Sequence, residues 1–299
     1  LLDRLALSLL PAIPTPVMRR LAGRYIAGER LEDALARLAE LAGRGFPGIL
    51  DLLGENVTSE SGARAVVASY AEASAALARV QLDAYVSVKP THVGLALSEE
   101  LAFELYAELA RTTRAHGQRL RVEMEDHPTT DATLRVFERL RERFDHVGIV
   151  LQSRLLRTPA DIARLAPGPL DVRLVKGIYL EPAAIAHTEY APIRRAYVEC
   201  ALALLQRDAS LSFATHDEHL AEELFALVRE RGVPRGRYEL QVLLGVREAL
   251  WDRWRDAGHR VRVYVPYGPE WRPYSTRRLR KNPQIFRHVV RDTLSLGRR

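Results

Sequence analysis

The stretch YVPYGPEWRPYSTRRLRKNP near the C-terminus holds the most specific chemistry in the chain, because Tyr274 is followed three and four residues later by Arg277 and Arg278. In a helix that spacing places a phenol and two guanidinium groups on one face. Guanidinium forks match a carboxylate and a phenol adds an apolar wall, so the face suits a small carboxylate with an apolar body. Other polar residues follow short apolar runs all along the chain: Gly54 and Glu55, Lys89, Glu123 to Asp126, Gln152, Arg173 to Tyr179, Thr215 and His216, Glu239 and Gln241, and Tyr264. Glu123, Glu125 and Asp126 alone would suit the carboxylate pair of a glycosidase, with Glu123 and Glu125 on one side of a strand. The cations Lys89, Arg173, Lys176, Arg277 and Arg278 among the same candidates favour an anion over a neutral sugar. A solvated basic helix with Tyr274 packed on a core is the alternative for the C-terminal segment.

The elements that must position these residues show in the periodicity. From about residue 46, short β-rich runs (FPGILDLL, AYVSV, LRVEM, VGIVL, DVRLV, LSFAT, YELQVL, VRVYV) alternate with segments of helical period such as SGARAVVASYAEASAALARV and EELAFELYAELARTTRAHG. Ser98 stands at the N-cap of the second of these helices, with Glu99 and Glu100 in its first turn. Eight strand candidates, each followed by a helix candidate, predict an α/β fold: a parallel (β/α)8 barrel over residues 46–299, ending in the helix of Tyr274, Arg277 and Arg278. Residues 1–45 form extra N-terminal helices in this reading, a cover for the bottom or side of the barrel. Tyr264 is expected to end the eighth strand, with Pro266 and Gly268 turning the chain and Pro273 near the next helix start. Active sites of this fold lie at the C-terminal strand ends, where the candidates gather.

Composition narrows the classes. The chain has 299 residues, 47% hydrophobic and 27% charged, which supplies a sizeable core and excludes disorder and coiled coil. No apolar run approaches the ~20 residues that cross a bilayer, and the mixed charges of LLDRLALSLLPAIP suit a signal peptide poorly. One cysteine, Cys200, rules out an internal disulfide and is expected as a buried helical residue in a reducing, cytoplasmic setting. Of the net charge of +6, residues 277–299 carry +7 (eight Arg and Lys against Asp292), leaving −1 for the rest. The basicity therefore belongs to a tail and not to a broad nucleic-acid face. GRGFPG spells a dinucleotide fingerprint, but a helix precedes it and a strand follows, the reverse of what that motif needs. His216 and His219 are spaced like metal ligands, yet one ends a strand and the other opens a helix, so no metal site is expected. Asn56 begins a glycosylation sequon in spelling only.

DLLGE, VSVKP, RVEMED, VLQS, RLVKGIY, FATHD, ELQVLLG and YVPYG…YSTRRL, in this order from about Phe46 to Pro283, closely resemble the bacterial proline dehydrogenases. The resemblance implies a distorted (β/α)8 barrel with FAD across its C-terminal face. It also implies hydride transfer from C5 of L-proline to flavin N5, giving Δ1-pyrroline-5-carboxylate as the first step of proline catabolism to glutamate. Lys89, Arg277 and Arg278 would hold the proline carboxylate, and Glu55 looks like the acid that pairs with Arg277 and closes the site. Tyr264, Tyr274, Tyr179 and Leu243 would wall the pyrrolidine ring. Gln152, Arg173, Val175, Lys176, Gly177, Ile178, Thr215, His216 and Gln241 resemble the family's flavin-contacting positions, with Met124 beneath the ring system. Glu123 and Arg173 are the catalytic candidates. Implied partners are a membrane quinone that takes the electrons, peripheral contact at the inner membrane face, and a separate pyrroline-5-carboxylate dehydrogenase, since the chain lacks the second domain of fused relatives.

Three positions depart from the family pattern: Glu123 stands where Asp is usual, Arg154 where an aromatic is common, and Lys281 where an acid is expected. Two rival readings remain. One is a barrel lyase or aldolase with Lys89 or Lys176 as Schiff-base nucleophile; the other is a nucleic-acid module built on residues 287–299. If Arg277 and Arg278 clamp a carboxylate, Arg277→Met or Arg278→Met raises KM for L-proline about 10- to 150-fold, the equivalent of ~1.5–3 kcal/mol for a charged hydrogen bond. Steady-state kinetics read this directly, and an unchanged KM removes the clamp.

Overall fold

In AYVSV, DVRLV, YELQVL and VRVYV apolar and polar residues alternate, so each strand has one apolar and one polar face. A computed structural model, which describes Met18, Arg19 and residues 22–281 and side chains as far as Thr276, gives each face a place. Eight parallel strands close into a barrel in sequence order: β1 (Gly48–Leu52), β2 (Ala84–Val88), β3 (Leu120–Val122), β4 (Val147–Gln152), β5 (Asp171–Val175), β6 (Ser210–Ala214), β7 (Tyr238–Leu243) and β8 (Val261–Tyr267). Closure is direct, with Gly48 opposite Val263 and Leu52 opposite Tyr267 across the β1–β8 seam. Leu50, Val86, Val122, Ile149, Leu174, Phe213, Leu240 and Val263 are buried in the apolar core shared with the helices. The opposite face brings Tyr85, Ser87, Arg121, Arg173, Glu239, Gln241 and Arg262 into the barrel interior, all hydrogen-bonded.

Helix α1 (Leu31–Gly43) precedes the barrel. After the strands in turn come α2 (Glu60–Arg79), α3 (Glu99–Ala115), α4 (Thr130–Arg141), α5 (Thr158–Arg164), α6 (Tyr190–Gln206), α7 (Glu218–Glu230), α8 (Glu248–Asp256) and α9 (Trp271–Lys281). Ser98 caps α3 as the sequence predicts, and two further helix starts, of α2 and α7, are capped in the same way. Ser59 and Ser98 accept from Gly62 N (3.1 Å) and Leu101 N (3.3 Å), and Asp217 does the same for Leu220 N (3.2 Å). These bonds satisfy backbone donors that a helix cannot pair internally. Cys200 is buried in α6.

The alternation of strand and helix conceals one irregularity. Helix α1 packs against both β1 and β8, with Leu38 seated over Gly48, where a Cβ would lie 2.1 Å from its Cδ2. Arg44 just beyond α1 reaches Glu248 on α8 (2.9 Å), and Phe46 meets Trp251 edge-on at 6.0 Å. Thus α1 occupies the outer slot between α8 and α2 that the helix after β8 would otherwise fill. That helix, α9, instead packs Trp271 with Met18, Ala22, Ile26 and Leu53, beyond the C-terminal end of β1. The N-terminal helix therefore covers the side of the barrel.

Several expectations of position are corrected. β8 continues to Tyr267, so Tyr264 lies within it and not at its end. Arg173, Glu239 and Gln241 also lie within β5 and β7. β3 stops at Val122, before Glu123 and Glu125, so those two are not bound to share a side. Leu38→Ala should cost about 2–5 kcal/mol, the usual price of a buried Leu truncation, measured by urea unfolding; a change within error would show that α1 does not seal the seam.

Candidate active site

The polar face of the strands converges on a buried ion pair. Glu123 follows β3 and turns inward, where its Oε1 accepts from Ser87 Oγ at 2.5 Å, from Tyr264 OH at 3.2 Å and from Arg173 Nη1. Arg173 comes from β5; its Nε donates to Gln241 Oε1 at 2.5 Å and its guanidinium lies 5.2 Å from the Tyr264 ring centre. Gln241 is itself held, with Nε2 donating to Tyr85 OH (2.8 Å) and Glu239 Oε1 (2.7 Å). Burial alone would raise the Glu123 pKa, but the Arg173 guanidinium, the Ser87 hydroxyl and Lys89 outweigh it and hold the carboxyl below its usual range. Arg173 is stabilised as a cation in turn: Glu123, together with Tyr85 and Tyr264, more than offsets the cost of its burial.

Lys89 closes the group on the β2 side. Its Nζ lies 3.7 Å from Asp51 Oδ2 and 3.4 Å from Gly54 O. Burial works against its charge, yet Asp51 and Glu123 raise its pKa above the usual lysine value. Tyr274 on α9 is close enough to influence the protonation of both Lys89 and Tyr264, so α9 lies over this mouth. Arg277 and Arg278 belong to the same helix; their side chains, like that of Lys281, fall outside those described.

The residues expected to hold a cofactor form the β4–β6 side of the mouth. Gln152 at the end of β4 donates to Glu125 O at 2.7 Å, beside the buried Met124. Gly177 has φ +96°, and a Cβ there would meet Gln152 Oε1 and Arg154 Cδ at 2.8 Å, so only glycine fits. Arg154 donates Nη1 to Tyr179 O at 2.5 Å, which pins the loop after β5. Lys176, next to Val175, pairs with Asp217 at 2.7 Å, and Asp217 N donates to Thr215 Oγ1 at 3.1 Å. His216 Nε2 accepts from Leu243 N at 3.0 Å, tying the β6 loop to the end of β7. Two observations fit a bound group over this side: Arg173 Nη2 is buried without a hydrogen-bond partner among the described residues, and Ile178 is 63% exposed.

Gln241 lies inside the barrel, where it touches Arg173. Glu125 diverges from Glu123: it accepts from Thr91 N (2.8 Å) and Thr91 Oγ1 (2.7 Å), and Thr91 in turn accepts from Asn56 N, next to Glu55. Asp51, Ser87 and Tyr85 were not anticipated. An acid or hydroxyl inside an apolar strand run, as in GILDL and AYVSV, is the signal that marks them.

A family model described as Proline dehydrogenase matches residues 34–289. The chain belongs to the proline dehydrogenase family. It is 33% identical over 282 residues to a proline dehydrogenase of Deinococcus radiodurans, covering 93% of this chain and 91% of that one. It is 31% identical over 273 residues to proline dehydrogenase 1 of Bacillus subtilis strain 168, covering 91% and 90%. Among solved structures, proline utilization A from Bdellovibrio bacteriovorus, inactivated by N-propargylglycine, superposes with a TM-score of 0.81 at 24% identity. That match covers 87% of this chain and 32% of the larger protein, and it carries the fold alone. Membership of the proline dehydrogenase family makes the chain an oxidoreductase enzyme of proline catabolism. No helix among the described residues is long and apolar enough to cross a membrane.

Glu123→Gln leaves Arg173 buried without its countercharge and should cost about 3–5 kcal/mol at neutral pH. Because the folded-state pKa is depressed, this contribution is full above the ordinary value of 4.5 and is lost as the pH falls through the lower folded value. Urea unfolding of parent and variant should therefore differ most at pH 7 and converge below pH 4.5; a gap that stays constant would mean that the pair is not ionic.

Proposed function

We propose that this chain oxidises L-proline to Δ1-pyrroline-5-carboxylate with FAD bound across the C-terminal ends of its strands. The observation that carries the reading is the Glu123–Arg173 pair at the mouth, flanked by Lys89, Tyr264 and Tyr274, in a chain of this family. Lys89 is cationic and buried, so it can neutralise a carboxylate, with Arg277 and Arg278 supplied by α9. Tyr264, Tyr274, Tyr179 and Leu243 wall the ring and exclude water, and Glu55 closes the site by pairing with Arg277. Gln152, Arg173, Val175, Lys176, Gly177, Ile178, Thr215 and His216 would hold the flavin, with Met124 contributing to the same site and Gln241 acting through Arg173. FAD supplies an acceptor for the hydride that leaves C5 of the ring. The ring nitrogen needs its lone pair to form the C=N bond, and a cation-rich pocket disfavours the protonated amine. The barrel with its last helix, residues 46–299, is the catalytic unit in this reading and residues 1–45 a helical preface. Electrons pass on to membrane quinone through peripheral contact from the cytoplasmic side, and a pyrroline-5-carboxylate dehydrogenase consumes the product.

The lyase reading fares worse. A Schiff-base lysine needs a neutral amine, whereas the surroundings of Lys89 raise its pKa and Lys176 is engaged by Asp217. The nucleic-acid reading rests on residues 287–299, which lie outside the described residues. The visible spectrum of the purified protein tests the proposal. Yellow flavin absorption that bleaches on anaerobic addition of L-proline, and not of D-proline, is the expected outcome. A yellow protein indifferent to proline would discard the substrate, and one that stays colourless after FAD is supplied would discard the cofactor.

A further inference from the structure

Asp51, the penultimate residue of β1, is an acid where the strand's period would accept an apolar residue, and it is 1% exposed. Its Oδ1 is 3.5 Å from the Tyr70 hydroxyl on α2, while Oδ2 accepts no hydrogen bond among the described residues. A bare buried carboxylate oxygen is costly unless a cation answers it. The cation that answers is Lys89, at 3.7 Å, near enough for Coulomb attraction and beyond hydrogen-bond length. Other charged and titratable groups face this pair from the surrounding elements. Glu123 after β3, Arg173 on β5 and Tyr264 on β8 act on Asp51, and Glu125 and Tyr274 on α9 act on Lys89. Glu123 gathers Ser87, Arg173 and Tyr264 on Oε1, and among the described residues the ion pair of Lys89 is with Asp51 and not with Glu123.

The geometry points to Asp51 as a positioning residue: it keeps the Lys89 ammonium charged at the mouth without consuming its donors, which, apart from the long contact to Gly54 O, stay available to the carboxylate of the substrate. This rests on the reading of Lys89 as a carboxylate ligand and deepens it. A carboxylate at hydrogen-bond distance would compete with the substrate for Lys89; one farther off supplies the field and leaves the N–H bonds for the incoming anion. Burial pushes the Asp51 carboxyl up to about 6, against the pull of Lys89, so it is ionised in the neutral and alkaline range where Lys89 must stay protonated. Removing the charge lets burial lower the Lys89 pKa, and the variant should then lose substrate affinity at alkaline pH where the parent does not.

The test is KM and kcat for L-proline from pH 6.5 to 10 on the flavin-loaded parent, Asp51→Asn, Lys89→Met and the double variant. Asp51→Asn should raise KM several-fold with a smaller effect on kcat. Relative to parent, its KM should also climb about tenfold per pH unit once the pH passes the lowered Lys89 pKa. In the Lys89→Met background the same substitution should change KM no further, because it acts only through that ammonium. A variant whose pH profile runs parallel to the parent, or whose effect on KM is additive with Lys89→Met, overturns the inference while leaving Lys89 as a ligand. An unchanged KM in Lys89→Met alone overturns the Lys89 reading and this inference with it. Asp51→Ser, smaller and equally uncharged, gives the same comparison if the Asn variant does not fold.

Discussion

A guanidinium taken out of water must be neutralised where it stands, and this barrel takes three of them. Arg173 meets Glu123, Arg121 meets Asp171 at 2.8 Å, and Arg262 meets Glu239 at 3.0 Å. Two of the pairs bridge different strands and the third joins β5 to the residue just past β3, so the electrostatic requirement also fixes how the strands sit around the axis. Gly148 shows how closely this is fitted: a Cβ there would lie 2.4 Å from Arg121 Nη1. An apolar filling would pack as well and cost less to desolvate. What the charged interior provides is a rigid polar floor under the mouth, with Gln241 and Glu239 holding Arg173 from below.

The eight strands, their helices and the helix at the mouth were legible because helical and strand periods alternate cleanly and Ser98 and its acids mark a helix start. The same period-2 alternation also encoded the polar floor, but local reading treated Arg173, Glu239 and Gln241 as loop residues after strands. A strand's polar half reads as its end whenever an interior is assumed to be apolar. Asp51 was missed for a related reason: its partner lies 38 residues away, and nothing local announces a buried carboxylate. The slot taken by α1 was invisible too, since order along the chain says which element comes next and not which gap it fills.

The departures from the family pattern acquire physical accounts where the structure describes them. Glu123, one methylene longer than the expected Asp, still gathers Ser87, Arg173 and Tyr264 on a single oxygen. Arg154 ties its strand end to the carbonyl of Tyr179 in the loop after β5, a directional contact.

The seam filled by α1 also bears on how the molecule assembles. Helix α1 is synthesised before any strand, yet one of its two docking strands, β8, comes more than two hundred residues later. Until that strand arrives, the apolar side of Leu38 and Leu41 lacks one of the two strands it docks on. Contacts between elements so far apart along the chain carry a large loop-closure cost and slow the search. Barrel closure and helix docking should then occur together and late, leaving the nascent chain with an unfinished edge for most of its synthesis.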